Sequence, residues 1–197
     1  MARSVVSICN LALLRLGKDP INSLTEGTPQ AICCAAMYDE AVMSVLREFP
    51  WNFAQTWVAL VKDTTPPPMT FAFSYHLPTD CVKMNWVADK TTVFSVVGNR
   101  IYTNADDAIG CYTQLITDPS RFDASFADCL AARLAADMCE PLTTSTTKQQ
   151  AFFTIYQNKV HQAWIADSSE GQADPDHDDT WLSASGFGTD PITTRLG

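Results

Sequence analysis

The chain has 197 residues, of which 46% are apolar and 18% charged. That composition is globular and excludes an intrinsically disordered protein. Its 13 basic and 22 acidic side chains give a formal charge of −9, which disfavours any function that grips phosphate or an anionic lipid surface with clustered Lys and Arg. The longest apolar run, residues 31–38, falls far short of the ~20 residues that span a bilayer. Residues 3–14 imitate a signal peptide only faintly. Ser7 and Asn10 interrupt the apolar stretch, Arg15 closes it and no small-residue cleavage site follows, so no cleaved leader is expected.

The first predicted element is a helix over residues 4–17, capped by Ser4 and stopped by Gly17, with Val5, Ile8, Cys9, Ala12 and Leu16 at helical spacing. It is basic, through Arg3, Arg15 and Lys18. After a loop marked by Pro20 and Gly27, a second helix starts at Thr28, an N-cap, and Pro29, whose missing N–H costs nothing at the first helical position. It ends at Pro50. From Trp51 the period changes. Residues 56–62, 71–77, 81–87, 93–97, 100–103 and 110–116 are short β-branched and aromatic runs. Gly98-Asn99 predicts a two-residue hairpin, and Pro66-Pro67-Pro68 a stiff connector. Helical pattern returns after Asp118-Pro119, with Phe126, Leu130, Leu134 and Met138 as an apolar stripe closed by Pro141. A capping box at Thr146-x-x-Gln149 predicts a fourth helix whose buried face carries Phe152, Ile155, Tyr156, Ala163 and Trp164.

This layout predicts an α+β protein: an antiparallel four-helix bundle (residues 1–50 and 117–170) with a small β-rich domain (51–116) inserted between helices 2 and 3. Residues 171–197 are rich in Gly, Pro, Asp, Ser and Thr and carry five Asp against Arg195, which predicts an extended acidic C-terminal arm. Trp181, Leu182 and Phe187 are out of place in a solvated arm and are read as anchors that dock on a partner, the alternative being that the tail packs back on its own domain. Phe49, Trp51, Phe53 and Trp57 put four rings into nine residues where helix gives way to strand. They are read as the hinge core between bundle and β-domain. Base stacking is the alternative, but it needs a basic groove, and only Arg47 and Lys62 flank these rings.

Chemistry is hard to find. The seven cysteines are odd in number and lack CxxC spacing, so they read as small buried hydrophobes and not as zinc or redox centres. His76 with Asp80 or Cys81 is a weak candidate pair. The cluster Asp174, Asp176, His177, Asp178 and Asp179 lacks the glycine and terminal Glu of a calcium loop. No glycine-rich phosphate loop or GxSxG motif occurs. No catalytic residue, cofactor or metal is expected.

Several stretches in sequence order resemble one family. They are Asn10-Leu11-Ala12-Leu13-Leu14-Arg15-Leu16-Gly17, Pro20-Ile21-Asn22-Ser23-Leu24-Thr25-Glu26-Gly27, then Ala31, Cys34, Tyr38-Asp39 and Phe49-Pro50-Trp51-Asn52-Phe53-Ala54. Tyr75-His76-Leu77-Pro78-Thr79-Asp80-Cys81 and Asp118-Pro119-Ser120-Arg121-Phe122-Asp123 through Leu134-Ala135 continue the series, so the likeness covers about residues 4–165. It is a resemblance to tail tubular protein A, the head-to-tail adaptor or gatekeeper family of short-tailed bacteriophages. The resemblance implies a non-enzymatic virion protein of the tail or neck, assembled in the host bacterial cytoplasm. It implies a homo-oligomeric ring, usually of twelve copies, beneath the portal protein, extending the DNA channel and offering a platform to the tail nozzle (tubular protein B-like) subunits. Duplex DNA would pass through without sequence-specific binding during ejection, and no membrane is involved. The alternative from a different class is an enzyme, a phage-carried cell-wall hydrolase with Glu40, Glu48 and Glu140 as its candidate carboxylates. A monomeric scaffold that binds a partner through the β-region is the third reading.

Overall fold

The computed structural model describes residues 3–64, 67 and 70–170. The elements run α1 (Val5–Arg15), α2 (Pro29–Glu48), β1 (Gln55–Ala59), β2 (Phe73–His76), β3 (Cys81–Val87), β4 (Phe94–Val97), β5 (Arg100–Thr103), β6 (Ile109–Gln114), α3 (Ala124–Thr143) and α4 (Thr146–Ser169).

Local chemistry accounts for most boundaries. Ser4 and Ser7 form a reciprocal capping box at the start of α1, and Gly17 leaves the helix at φ +67°. Thr28 caps α2 ahead of Pro29. Asn10 interrupts the apolar run of α1 for a structural reason: its amide donates to the Ile21 carbonyl at 2.9 Å and accepts from the Ile21 N–H at 2.8 Å, pinning the α1–α2 loop. Asp118-Pro119 starts only a 3-10 turn, and the cap of α3 is Asp123. Pro141 does not close α3. In the last turn it removes a single backbone bond, and the helix runs on to Thr143 before Thr144 turns left-handed and donates its N–H to the Glu140 carbonyl. Ser145, one residue earlier than expected, caps α4 by accepting from the Lys148 N–H.

The expected antiparallel four-helix bundle with a β-rich domain inserted between helices 2 and 3 is corrected by this architecture. Among the described residues the chain forms four α-helices and two separate three-stranded antiparallel sheets, β1-β6-β3 and β2-β5-β4. The helices do not surround a shared seam. Helix α3 is the hub against which α1, α2 and α4 each pack, while α4 packs mainly on α3. The reason lies in α3 itself: beyond the stripe Phe126, Leu130, Leu134 and Met138, its Ala127, Ala131, Ala132, Ala135 and Ala136 are also buried, so most of its circumference is apolar and Asp128, Arg133 and Asp137 mark the strip that stays partly exposed. Small side chains on the buried faces let α1, α2 and α4 approach from three sides.

The strands are not sealed off as an insertion either. Val82 of β3 and Ile116, just past β6, lie in the same apolar core as α1, α2 and α3. Arg47 at the end of α2 donates to the Val82 carbonyl at 2.5 Å, and Lys83 donates back to the Arg47 carbonyl at 3.3 Å. A second, smaller core joins the two sheets through Leu60, Tyr75, Met84, Val87, Ile101 and Tyr112. Gly98-Asn99 makes the tight turn between β4 and β5, with Gly98 at φ +61°.

Candidate subunit interface

The ring cluster at the helix–strand junction is built from three of its four expected members. Trp51 is fully buried. Its ring centroid lies 3.9 Å from that of Phe49 and 5.0 Å, edge-on, from that of Phe126 in α3. Its indole N–H donates to the Val45 carbonyl at 2.9 Å. Phe53 joins through Phe126 at 5.0 Å, and Phe122, which sequence reading missed, sits 4.8 Å from Phe126. Trp57 stands apart. It projects from β1, is 68% exposed, packs 6.2 Å from Trp86 of β3 and donates to the Cys111 sulfur at 2.7 Å. The flanking cations are engaged elsewhere, Arg47 as above and Lys62 with Asp106 at 2.5 Å. Trp181, Leu182 and Phe187 lie outside the described residues, as does the cluster from Asp174 to Asp179.

The basic character of α1 is absorbed internally. Arg3 donates to the Phe122 carbonyl at 2.6 Å. Arg15 and Lys159 converge on the Asp128 carboxylate. Burial works against the charge on Asp128, but the two cations together outweigh it and hold its carboxyl below the usual range.

The candidate chemical groups are dispersed. His76 Nε2 lies 4.0 Å from Asp63, which Arg100 also holds at 2.8 Å. Asp80 instead accepts from the Tyr112 hydroxyl at 3.0 Å and the Gln114 amide at 2.7 Å. All seven cysteines are free thiols. Burial pushes Cys81 up to about 11 and Cys129 up to about 12, away from thiolate reactivity. Cys9 is raised too, by its hydrogen bond with Cys34 and by burial. Among the described residues no group of three His, Cys, Asp or Glu side chains is placed to hold a metal ion, and no helix is long and apolar enough to cross a membrane.

What the molecule offers is apolar surface spread over several elements, with Phe153, Ile155, Trp164 and Ile165 exposed on α4. Of the residues expected to form its buried face, Tyr156 and Ala163 are buried and Phe152 is half-buried, but Ile155 and Trp164 are exposed. One flank of α4 faces a groove of about 450 Å³, whose lining includes Glu48 and Phe49 from the α2 end and Phe153, Tyr156, Val160 and Trp164 from α4. The Tyr156 hydroxyl donates to Glu48 Oε1 at 2.9 Å in this groove. Ile155, beside Leu16 and Phe152, lies on the opposite flank, and Ile165 is 53% exposed near the end of the helix. A second patch lies on the β1-β6-β3 sheet, where Trp57 and Ile109 are exposed on strands joined in register through Trp57–Cys111 and Ala59–Ile109. No protein family model matches the chain, and comparison with curated proteins yields no match.

Proposed function

We propose that the chain is a structural subunit of a bacteriophage virion: a head-to-tail adaptor that repeats around an axis below the portal, extends the DNA channel and presents a platform to the tail. One observation carries this reading beside the sequence resemblance. Large apolar side chains stand in solvent on several elements, among them Ile155 and Ile165 on α4, and Trp57 and Ile109 on the β1-β6-β3 sheet. A ring needs two different patches on each subunit, because head-to-tail contacts join unlike surfaces, and apolar surface of this kind marks interaction sites. The acidic balance of the chain supports a conduit role, since a lumen of like charge repels phosphate and lets duplex DNA slide.

The hydrolase alternative gains no support from the groove, where Glu48 is the one carboxylate among the described lining residues and accepts from the Tyr156 hydroxyl. The deciding experiment is sedimentation and electron microscopy of the purified chain, alone and mixed with the portal protein of its virus. A ring of subunits on the portal is expected. A chain that stays single in the presence of portal overturns the proposal.

A further inference from the structure

We propose that the groove between α4 and the end of α2 is the docking site for the chain's own residues 181–187. The groove has the chemistry of an acceptor for bulky apolar side chains. Phe49, Phe153, Tyr156, Val160 and Trp164 line it, and Trp164 is half exposed although its ring packs 5.9 Å from that of His161. Gln157 and His161 on the same lining can bond an incoming backbone. One oxygen of the Glu48 carboxylate, Oε1, already accepts from the Tyr156 hydroxyl at the edge of this lining.

The chain carries a matching guest. Over residues 171–190, Trp181, Leu182 and Phe187 are the only large apolar side chains, set among Gly, Asp, Ser and Thr. The reach is sufficient. Going back from Glu170 to Tyr156 covers ~21 Å at ~1.5 Å per helical residue. The eleven residues from Glu170 to Trp181 extend to ~36 Å at ~3.3 Å each. Because α4 leads directly into residue 171, the guest is tethered beside its host. That raises its effective concentration above that of any separate partner. This inference goes beyond the adaptor reading and does not depend on it.

The test uses the full chain in isolation, with the photo-crosslinker p-benzoylphenylalanine in place of Phe153, and in a second variant in place of Gln157. Light and isotope-labelled copies are mixed, irradiated and mapped by mass spectrometry. Crosslinks within one chain to residues 179–188 are expected from at least one position. Combining the crosslinker with Trp181→Ala and Leu182→Ala should lower their yield by about tenfold or more, since both buried side chains are lost. Circular dichroism checks that each variant keeps its helices. Crosslinks that join only different copies, the absence of any crosslink beyond residue 170 from both positions, or a yield indifferent to the double substitution would each overturn the proposal. Because no portal is present, failure here leaves the ring experiment unaffected.

Discussion

The hydroxyl of Tyr156 and the carboxylate of Glu48 meet at 2.9 Å and bridge α4 to α2 across the face of α3. Burial, reinforced by the carboxylate, holds the phenol well above its ordinary range, so it remains a proton donor at every pH the protein would meet. Tyr156→Phe keeps the buried ring and removes only the donor. The expected cost is about 1–2 kcal/mol of unfolding free energy, between the usual worth of a neutral hydrogen bond and that of one to a charged acceptor. Urea unfolding of the two proteins measures it. An unchanged midpoint would show that water replaces the phenol without loss.

Asp128 of α3 gathers Arg15 of α1 and Lys159 of α4, so a single carboxylate links three helices. Its folded-state pKa is depressed. A depressed carboxylate contributes stability above its unfolded value of about 3.9 and loses that contribution as pH falls through the lower folded value. Asp128→Asn should therefore destabilise the protein at pH 7, and the gap between variant and wild type should narrow below about pH 4. The side chain is 41% exposed, so solvent screening keeps the effect to about 1 kcal/mol or less. Urea midpoints across pH 3–7 report it, and a gap that widens toward acid would contradict the assignment.

The parts of the fold legible in the sequence are those written in local chemistry. Ser4, Thr28-Pro29 and Gly98-Asn99 fix element ends through caps and turns that involve only near neighbours. Where helices sit relative to one another is not local. The stripe Phe126, Leu130, Leu134 and Met138 marks one face of α3, but the alanines between them decide that most of its circumference is covered. Alanine is equally at home on an exposed helix, so its pattern carries no direction. In the same way, Ile155 and Trp164 look like core positions by type and spacing. They are exposed because α4 has one neighbouring helix to lean on, and only tertiary placement tells a core face from a docking face. Trp57 was separable from Phe49, Trp51 and Phe53 in principle. Strand alternation from Gln55 places it on the same face as Ala59, opposite Thr56 and Val58.

The two exposed patches give the adaptor proposal a mutational test. Trp57→Ser combined with Ile109→Ser removes apolar surface from the β1-β6-β3 sheet while leaving both cores intact. Folding stability should fall by about 1–2 kcal/mol, since Trp57 gives up its packing on Trp86 and its hydrogen bond to the Cys111 sulfur. Ring formation on the portal should fall sharply. Sedimentation of variant and portal together checks this, and normal rings would remove the sheet patch from the interface.

Gly110 tests the smaller core. It lies in β6 opposite Val58, and a Cβ placed on it would come within 2.9 Å of the Leu60 Cδ2 atom and 3.2 Å of its Cγ. Leu60 is buried and packs with Tyr75, Met84, Val87, Ile101 and Tyr112 between the two sheets. It can yield only by pressing on that group. Gly110→Ala should therefore destabilise the protein by about 1–3 kcal/mol, the cost of an extra methyl in a filled core. Leu60→Ala alone should also destabilise, by leaving a cavity. The double variant Gly110→Ala, Leu60→Ala should be more stable than the sum of the single losses predicts, because the new methyl then enters space that Leu60 has vacated. Urea unfolding of the four proteins forms the cycle. Strict additivity would mean that the sheet backbone shifts to admit the methyl and that the two side chains are not in competition for the same space.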